Sequence, residues 1–349
     1  MKNQSYQKFN RTLSFGSNKN SFPLRVMFEL TYRCNFNCAH CYLPVSYRRR
    51  SVDELKTKEV FLVLDQLAES GCFYVGFTGG EPFLRPDIFQ IILHAKKRGM
   101  QVIIHTNASL IDEKKAGKLA KLALNKVDIG LPALEQKSFE RISGKSNSFK
   151  KVFKAIEFLK REKVPLGFKT CVLKENFSQI KAIQDYAELL GVSHRLEDML
   201  FPALDGGQRI KQNIPEFIKR SNAQWLKAHH LKHKLEANEC AGVLTDSLFP
   251  CGVGSSQCAI TPKGEIKLCL MIDYPKYPIF DSDFKDCWRR LKITAAKINN
   301  EPRSVCKECD LVSYCKWCPA RGYLHSGSFF SCDSQSRTRA EELKQIAEG

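Results

Sequence analysis

From residue 23 to about residue 206 the chain alternates short apolar, β-rich runs with longer stretches whose apolar residues recur every three or four positions. The runs centre near Arg25, Phe73, Gln101, Val127, Gly167 and Ser193. This alternation predicts repeated βα units and a parallel sheet, because each strand needs a crossover helix to return beside its predecessor. In the first long helix Val60, Phe61, Leu64 and Leu67 share one side, and Ser51 with Glu54 has capping-box spacing for its start. Phe149, Val152, Phe153, Ile156 and Leu159 mark a later core-facing helix. Residues 1–22 are rich in Asn, Ser and Lys without periodicity and predict a flexible arm. Residues 207–249 predict a polar helical linker, and residues 250–349 a loop-rich, cysteine-bearing domain closed by a helix.

At 349 residues and 43% hydrophobic content the chain can bury a sizeable core. Its apolar runs all fall short of the roughly 18 residues of a membrane span, and the N-terminus lacks the apolar core of a signal peptide. A cytoplasmic location is expected. Fifteen cysteines in that setting point to metal ligation rather than a disulfide framework. The net charge of +18 is compatible with nucleic acid, an acidic peptide or a soluble surface. Basic runs such as Arg48-Arg49-Arg50 and Lys96-Lys97-Arg98 read as solvated faces, and with no RNA-recognition or helix-turn-helix signature a nucleic-acid partner is not expected.

The chemistry concentrates in thiols. Cys34, Cys38 and Cys41 follow the apolar run Leu24 to Leu30 in CxxxCxxC spacing, so three soft ligands leave the end of one strand together. Three thiolates leave one metal position open on a cluster, which suits catalysis; a zinc knuckle completed by His40 or a distant residue is the alternative. Gly79-Gly80-Glu81-Pro82 follows the second run and Thr106-Asn107 ends the third. In a parallel sheet all three would meet at the carboxyl ends of the strands. A second array comprises Cys251, Cys269, Cys306, Cys309, Cys315, Cys318 and Cys332, with Gly264 of TPKGEI placed for a hairpin turn between the first two. Iron–sulfur clusters or structural zinc would fit it. His229 and His233 have the i, i+4 spacing of a zinc pair but read as part of a solvated linker helix beside His230, and Cys72, Cys171, Cys240 and Cys287 read as free buried thiols.

The CxxxCxxC loop followed by Tyr42, together with Gly79-Gly80-Glu81-Pro82, resembles the signature of radical S-adenosylmethionine enzymes. The resemblance implies an α/β fold: a partial, TIM-like (β/α)6 barrel open on one side. It also implies a 4Fe–4S cluster on Cys34, Cys38 and Cys41, and S-adenosyl-L-methionine bound by His40, Tyr42, Gly79, Gly80, Glu81 and Pro82, with Asn107 and Lys169 as further polar contacts. The C-terminal array resembles the SPASM domain, which implies one auxiliary cluster on Cys251, Cys269 and Cys318 with Cys258 as a fourth ligand, and another on Cys306, Cys309, Cys315 and Cys332. Two departures stand out: Gly130-Leu131-Pro132 replaces an expected serine contact, and only Lys316-Trp317 precede Cys318 where three residues are usual.

The segments 127–149, 167–176 and 194–206 resemble peptide maturases, including thioether-forming ones. That likeness implies a 5′-deoxyadenosyl radical used to crosslink a ribosomally made precursor. The rivals are a formylglycine-forming maturase of the anaerobic sulfatase type and, from another class, an RNA-modifying or electron-transfer iron–sulfur protein. Expected partners are a peptide or protein substrate and a one-electron reductant such as flavodoxin or ferredoxin. Because the first strand begins near Leu24, the preceding residues cannot form a winged-helix leader-binding module, so a separate carrier protein or the basic surface would hold the leader.

Overall fold

The structure, a computed structural model, describes residues 22–49, 53–206, 248–249, 251–299, 309–315 and 317–348. Six strands come first: β1 (Arg25–Thr31), β2 (Tyr74–Gly79), β3 (Gln101–Thr106), β4 (Lys126–Gly130), β5 (Leu166–Cys171) and β6 (Ser193–Glu197). They lie side by side in chain order, each parallel to the last. The connections carry helices α1 (Val45–Arg49), α2 (Thr57–Glu69), α3 (Ile88–Lys97), α4 (Glu113–Lys121), α5 (Gln136–Ser143), α6 (Phe149–Arg161) and α7 (Ile180–Leu189). β6 does not pair with β1, so the sheet stays open as the partial (β/α)6 barrel requires.

The open side of β1 is taken by the C-terminal part of the chain. β7 (Gln257–Ile260) pairs parallel with β1, Arg25 opposite Gln257 and Phe28 opposite Ile260. β8 (Glu265–Lys267) and β9 (Tyr277–Pro278) continue antiparallel, giving one sheet in the order β6-β5-β4-β3-β2-β1-β7-β8-β9. The turn between β7 and β8 needs Gly264, whose φ of 78° lies in the left-handed region. Three helices follow: α8 (Phe284–Asn299), α9 (Pro319–Ser326) and α10 (Ser334–Glu348). Arg339 of α10 donates through Nε to Asp198, just past β6, at 3.0 Å, and both side chains are buried.

The two faces of the sheet differ sharply. Val26, Phe28, Val75, Phe77, Val102, Ile104, Val127, Ile129 and Phe168 alternate onto one face and are fully buried. The other face carries Met27, His105, Lys126, Asp128, Lys169 and Glu197, with Gly76 and Gly167 set among them; a Cβ on Gly167 would stand 2.4 Å from an Asp128 oxygen. Parallel sheets usually bury both faces. A polar, partly accessible second face is what a concave binding space inside an open barrel provides.

Local details correct two expectations. Ser51 lies outside the described residues, and Glu54 does not cap the helix; α2 starts at Thr57, where Lys56 N donates to Glu59 Oε2 at 2.7 Å. Val63 joins Val60, Leu64 and Leu67 in the core, while Phe61 is half-buried and stacks on the His94 ring, centroids 4.2 Å apart. In α6, Val152, Ala155, Ile156 and Leu159 are buried as expected, and Phe149 and Phe153 pack beside them half-exposed. The predicted N-terminal arm up to residue 21, most of the linker with His229, His230 and His233, and Cys240 fall outside the described residues.

Candidate active site

The cysteine loop is docked on its neighbours through backbone hydrogen bonds from two sides. Gly80 N donates to Thr31 O at 2.7 Å, and Glu81 N to Arg33 O at 2.8 Å. A Cβ on Gly80 would lie 2.0 Å from Arg33 O, and one on Gly79, whose φ is 116°, 2.1 Å from Thr31 O. Only glycine allows this approach. From the other side, Asn37 N and Ala39 N donate to Ser143 O and Ile142 O, both at 2.9 Å, at the end of α5. Glu54 accepts from Thr31 Oγ1 at 2.7 Å and Tyr32 N at 3.1 Å, so its carboxylate fixes the start of the loop.

The thiols of Cys34, Cys38 and Cys41 are not joined in disulfides, and all three are partly buried. Burial pushes Cys34 up to about 11 and Cys38 higher still; neighbouring thiolates add to the cost and the Arg48 cation opposes it. A metal group held there would have to displace the thiol protons, so its binding is expected to weaken as pH falls. Among the described residues no three side chains converge as a single ion would require. A cubane asks for a wider arrangement, one thiolate to each iron.

Around the loop, Glu81 is fully buried and accepts from Thr106 Oγ1 at 2.7 Å, Asn107 N at 2.8 Å and Phe83 N at 3.1 Å. Burial raises its carboxyl to about 7 against those three donors. Pro82, also buried, opens the short 3-10 turn Pro82–Leu84. Asn107 Nδ2 donates to Asn35 Oδ1 at 2.8 Å and lies 4.0 Å from Cys34 Sγ, tying the end of β3 to the loop. Burial, then the Lys169 charge, lowers His40 to about 4, so its imidazole is neutral near pH 7, and Nδ1 has no hydrogen-bond partner among the described residues. Lys169 itself sits on β5 with Nζ 3.8 Å from Glu197. At Gly130, where a serine was expected, a Cβ would meet nothing within 4 Å.

A buried ion-pair network beside the loop escaped the sequence reading. Tyr42 Oη donates to Glu29 Oε1 at 2.6 Å, and Lys267 Nζ lies 3.1 Å from Glu29 Oε2 and 3.0 Å from Asp273 Oδ1. Glu29 and Lys267 are both fully buried. Burial works against the Lys267 charge, but Glu29 and Asp273 outweigh it and hold its pKa above the ordinary value. The network links β1, the cysteine loop and β8, so the C-terminal hairpin is keyed to the barrel by charge as well as by pairing. Its only sequence signal was a carboxylate and an ammonium at strand positions next to cysteines.

In the C-terminal part, burial raises Cys269 to about 12, and the Cys318 and Cys251 thiols add to that rise. Cys258 is buried on β7, where it pairs with Val26 of β1. Cys332 has Cys309 as an electrostatic neighbour, Cys315 follows the short turn Val312–Tyr314, and Cys306 lies outside the described residues.

Residues 28–187 match the family model described as the radical SAM superfamily, a match that implies a 4Fe–4S cluster and S-adenosylmethionine. Among curated proteins, the AdoMet-dependent heme synthase of Oleidesulfovibrio alaskensis is 25% identical over 342 residues, covering 90% of this chain and 88% of that one. The antilisterial bacteriocin subtilosin biosynthesis protein AlbA of Bacillus subtilis is 24% identical, covering 95% and 75%. Among solved structures, SuiB of Streptococcus suis bound to the precursor peptide SuiA shares the fold at a TM-score of 0.69 and 18% identity, covering 94% of this chain and 80% of that one. No helix among the described residues is long and apolar enough to cross a membrane.

Proposed function

We propose that this radical SAM enzyme is a maturase that modifies a peptide, closing a crosslink such as a Cys thioether in a ribosomally made precursor. The observation that carries it is the pair of thiol groups keyed to one strand: Cys34, Cys38 and Cys41 after β1, and Cys251, Cys269 and Cys318 around the hairpin that extends β1. Similarity to AlbA and to the SuiB fold supports a peptide substrate. When bound, the cluster and S-adenosylmethionine supply a 5′-deoxyadenosyl radical. The chain's own residues hold and shield that chemistry. Cys34, Cys38 and Cys41 would ligate the cluster; Gly79, Gly80, Glu81 and Pro82 hold the loop against β2; His40, Asn107 and Lys169 line the space beside it. Cys251, Cys269 and Cys318 would hold one auxiliary cluster and Cys306, Cys309, Cys315 and Cys332 another, to take up the electron left when the new bond closes. A flavodoxin or ferredoxin would deliver the starting electron, and a separate carrier or the basic surface would present the leader.

A second reading rests on the heme synthase likeness, which spans most of both chains. The basic side chains Lys126, Lys169 and Arg195 beside β4 to β6 would suit carboxylates of a tetrapyrrole. Anaerobic reconstitution with candidate precursors, read by product mass, separates the two. Loss of hydrogen from a peptide supports the maturase, and a mass change in a tetrapyrrole with none in any peptide replaces it.

A further inference from the structure

Arg48, on α1, is 6% exposed. Its Nη1 lies 3.5 Å from the carbonyl oxygen of Phe36, inside the cysteine loop, whereas Nε and Nη2 have no hydrogen-bond partner among the described residues. A guanidinium cannot shed its proton, and a buried cation without an anion is costly. Arg85 shows what satisfaction looks like at the same depth: it pairs with Asp87 at 2.6 Å and donates to Leu30 O at 3.1 Å and Leu55 O at 3.0 Å. Near the C-terminal thiols, buried Arg321 likewise has Asp333 at 2.6 Å. Arg48 has no carboxylate partner among the described residues, and the groups its charge acts on include Cys34 and Cys38. Three thiolates on a 4Fe–4S cluster carry net negative charge, and one electron makes the assembly more negative.

We propose that Arg48 is the counter-cation of the barrel cluster, its unpartnered guanidinium edge pairing with the thiolate-ligated assembly on Cys34, Cys38 and Cys41 and raising its reduction potential. The inference rests on the cluster assignment above. In the step concerned, a low-potential one-electron donor passes an electron to the cluster; no proton moves, and Arg48 stays charged throughout. Arg48 is thus a positioning and tuning residue rather than a group that touches substrate.

The test uses the full chain, loaded with iron under anaerobic conditions, in wild-type, Arg48→Met and Arg48→Lys forms. A dithionite-poised redox titration is followed by electron paramagnetic resonance, and the barrel cluster is recognised as the signal that changes when S-adenosylmethionine is added. Arg48→Met is expected to raise the oxidised-to-reduced ratio at fixed potential about tenfold, which for a one-electron couple is a fall of about 59 mV. Arg48→Lys keeps the charge and should stay much closer to wild type. Iron loss confined to Arg48→Met also supports the proposal, since only the neutral residue fails. Equal potentials in wild type and Arg48→Met overturn it, whether or not cofactor affinity falls, and so does equal iron loss in both variants, the mark of a packing role. A wild-type chain without the cofactor-sensitive signal removes the cluster assignment itself, and the proposal with it.

Discussion

The two thiol sites are built on opposite plans. Cys34, Cys38 and Cys41 share one short loop, clamped by backbone hydrogen bonds to Gly80, Glu81, Ser143 and Ile142. Cys251, Cys269 and Cys318 come from three segments, before β7, after β8 and at the start of α9, with Cys251 exposed. The first site holds its shape through the sheet. The second is assembled from loops anchored by ion pairs such as Lys267 with Glu29 and Arg321 with Asp333. A loop that must admit a reactant to an open iron gains from being preorganised, whereas a closed auxiliary cluster can itself act as the fastener.

That contrast can be broken in several ways, beginning with the largest effect. The Cys38→Ala variant should release no 5′-deoxyadenosine with cofactor and reductant, and replacing Cys34, Cys38 and Cys41 together should lower iron from about twelve to about eight per chain. Equal nucleoside release, or an unchanged iron content, would show that the barrel loop is not the reactive site. Removing all metal with a chelator should strip hydrogen-exchange protection from residues 309–348 while β1 to β5 keep theirs. Uniform loss across both regions would erase the distinction.

Lys267→Met leaves Glu29 buried without its cation and should cost about 3–5 kcal/mol in denaturant unfolding. Adding Glu29→Gln should recover much of that loss, because the stranded charge is then gone; a double variant as unstable as the single one would mean that the lysine acts through packing. A smaller effect concerns Glu81 in the metal-free chain. The folded state holds its proton to about pH 7, whereas the unfolded chain releases it near the ordinary 4.5. Unfolding therefore releases a proton between those values, and stability should fall by up to about 3 kcal/mol as pH rises through that window. Glu81→Gln should flatten the slope. The smallest effect is on substrate capture: if the basic surface steers an acidic leader, precursor affinity weakens as salt rises. A flat response would favour a separate carrier.

What the sequence made legible follows from range. The strands β1 to β6 and their helices announce themselves through local periodicity, and the barrel loop through one contiguous motif. The β1–β7 pairing joins Arg25 to Gln257 with no local signature, so the predicted domain boundary near residue 250 cuts across a single sheet. Glu29 and Lys267 were opaque for the same reason. Cysteine spacing is equally blind to the strand face a residue occupies, and only the pairing shows Cys258 beside Val26 on β7. Arg48 was grouped with Arg49 and Arg50 as a solvated face, yet it is buried against the cysteine loop. A run of like charges reports composition, and burial of one member depends on which side of a short helix meets the fold.

The pairing of β1 with β7 also bears on how the chain is made. Synthesis proceeds from the N-terminus, so Arg25 to Phe28 emerges long before Gln257 to Ile260 exists to cover its second edge. Throughout that interval an apolar strand presents unpaired backbone groups, the feature from which intermolecular association starts. The nascent barrel is therefore most vulnerable to aggregation before its last third has left the ribosome. A chaperone that shields this strand edge until β7 emerges is expected to raise the yield of folded chain.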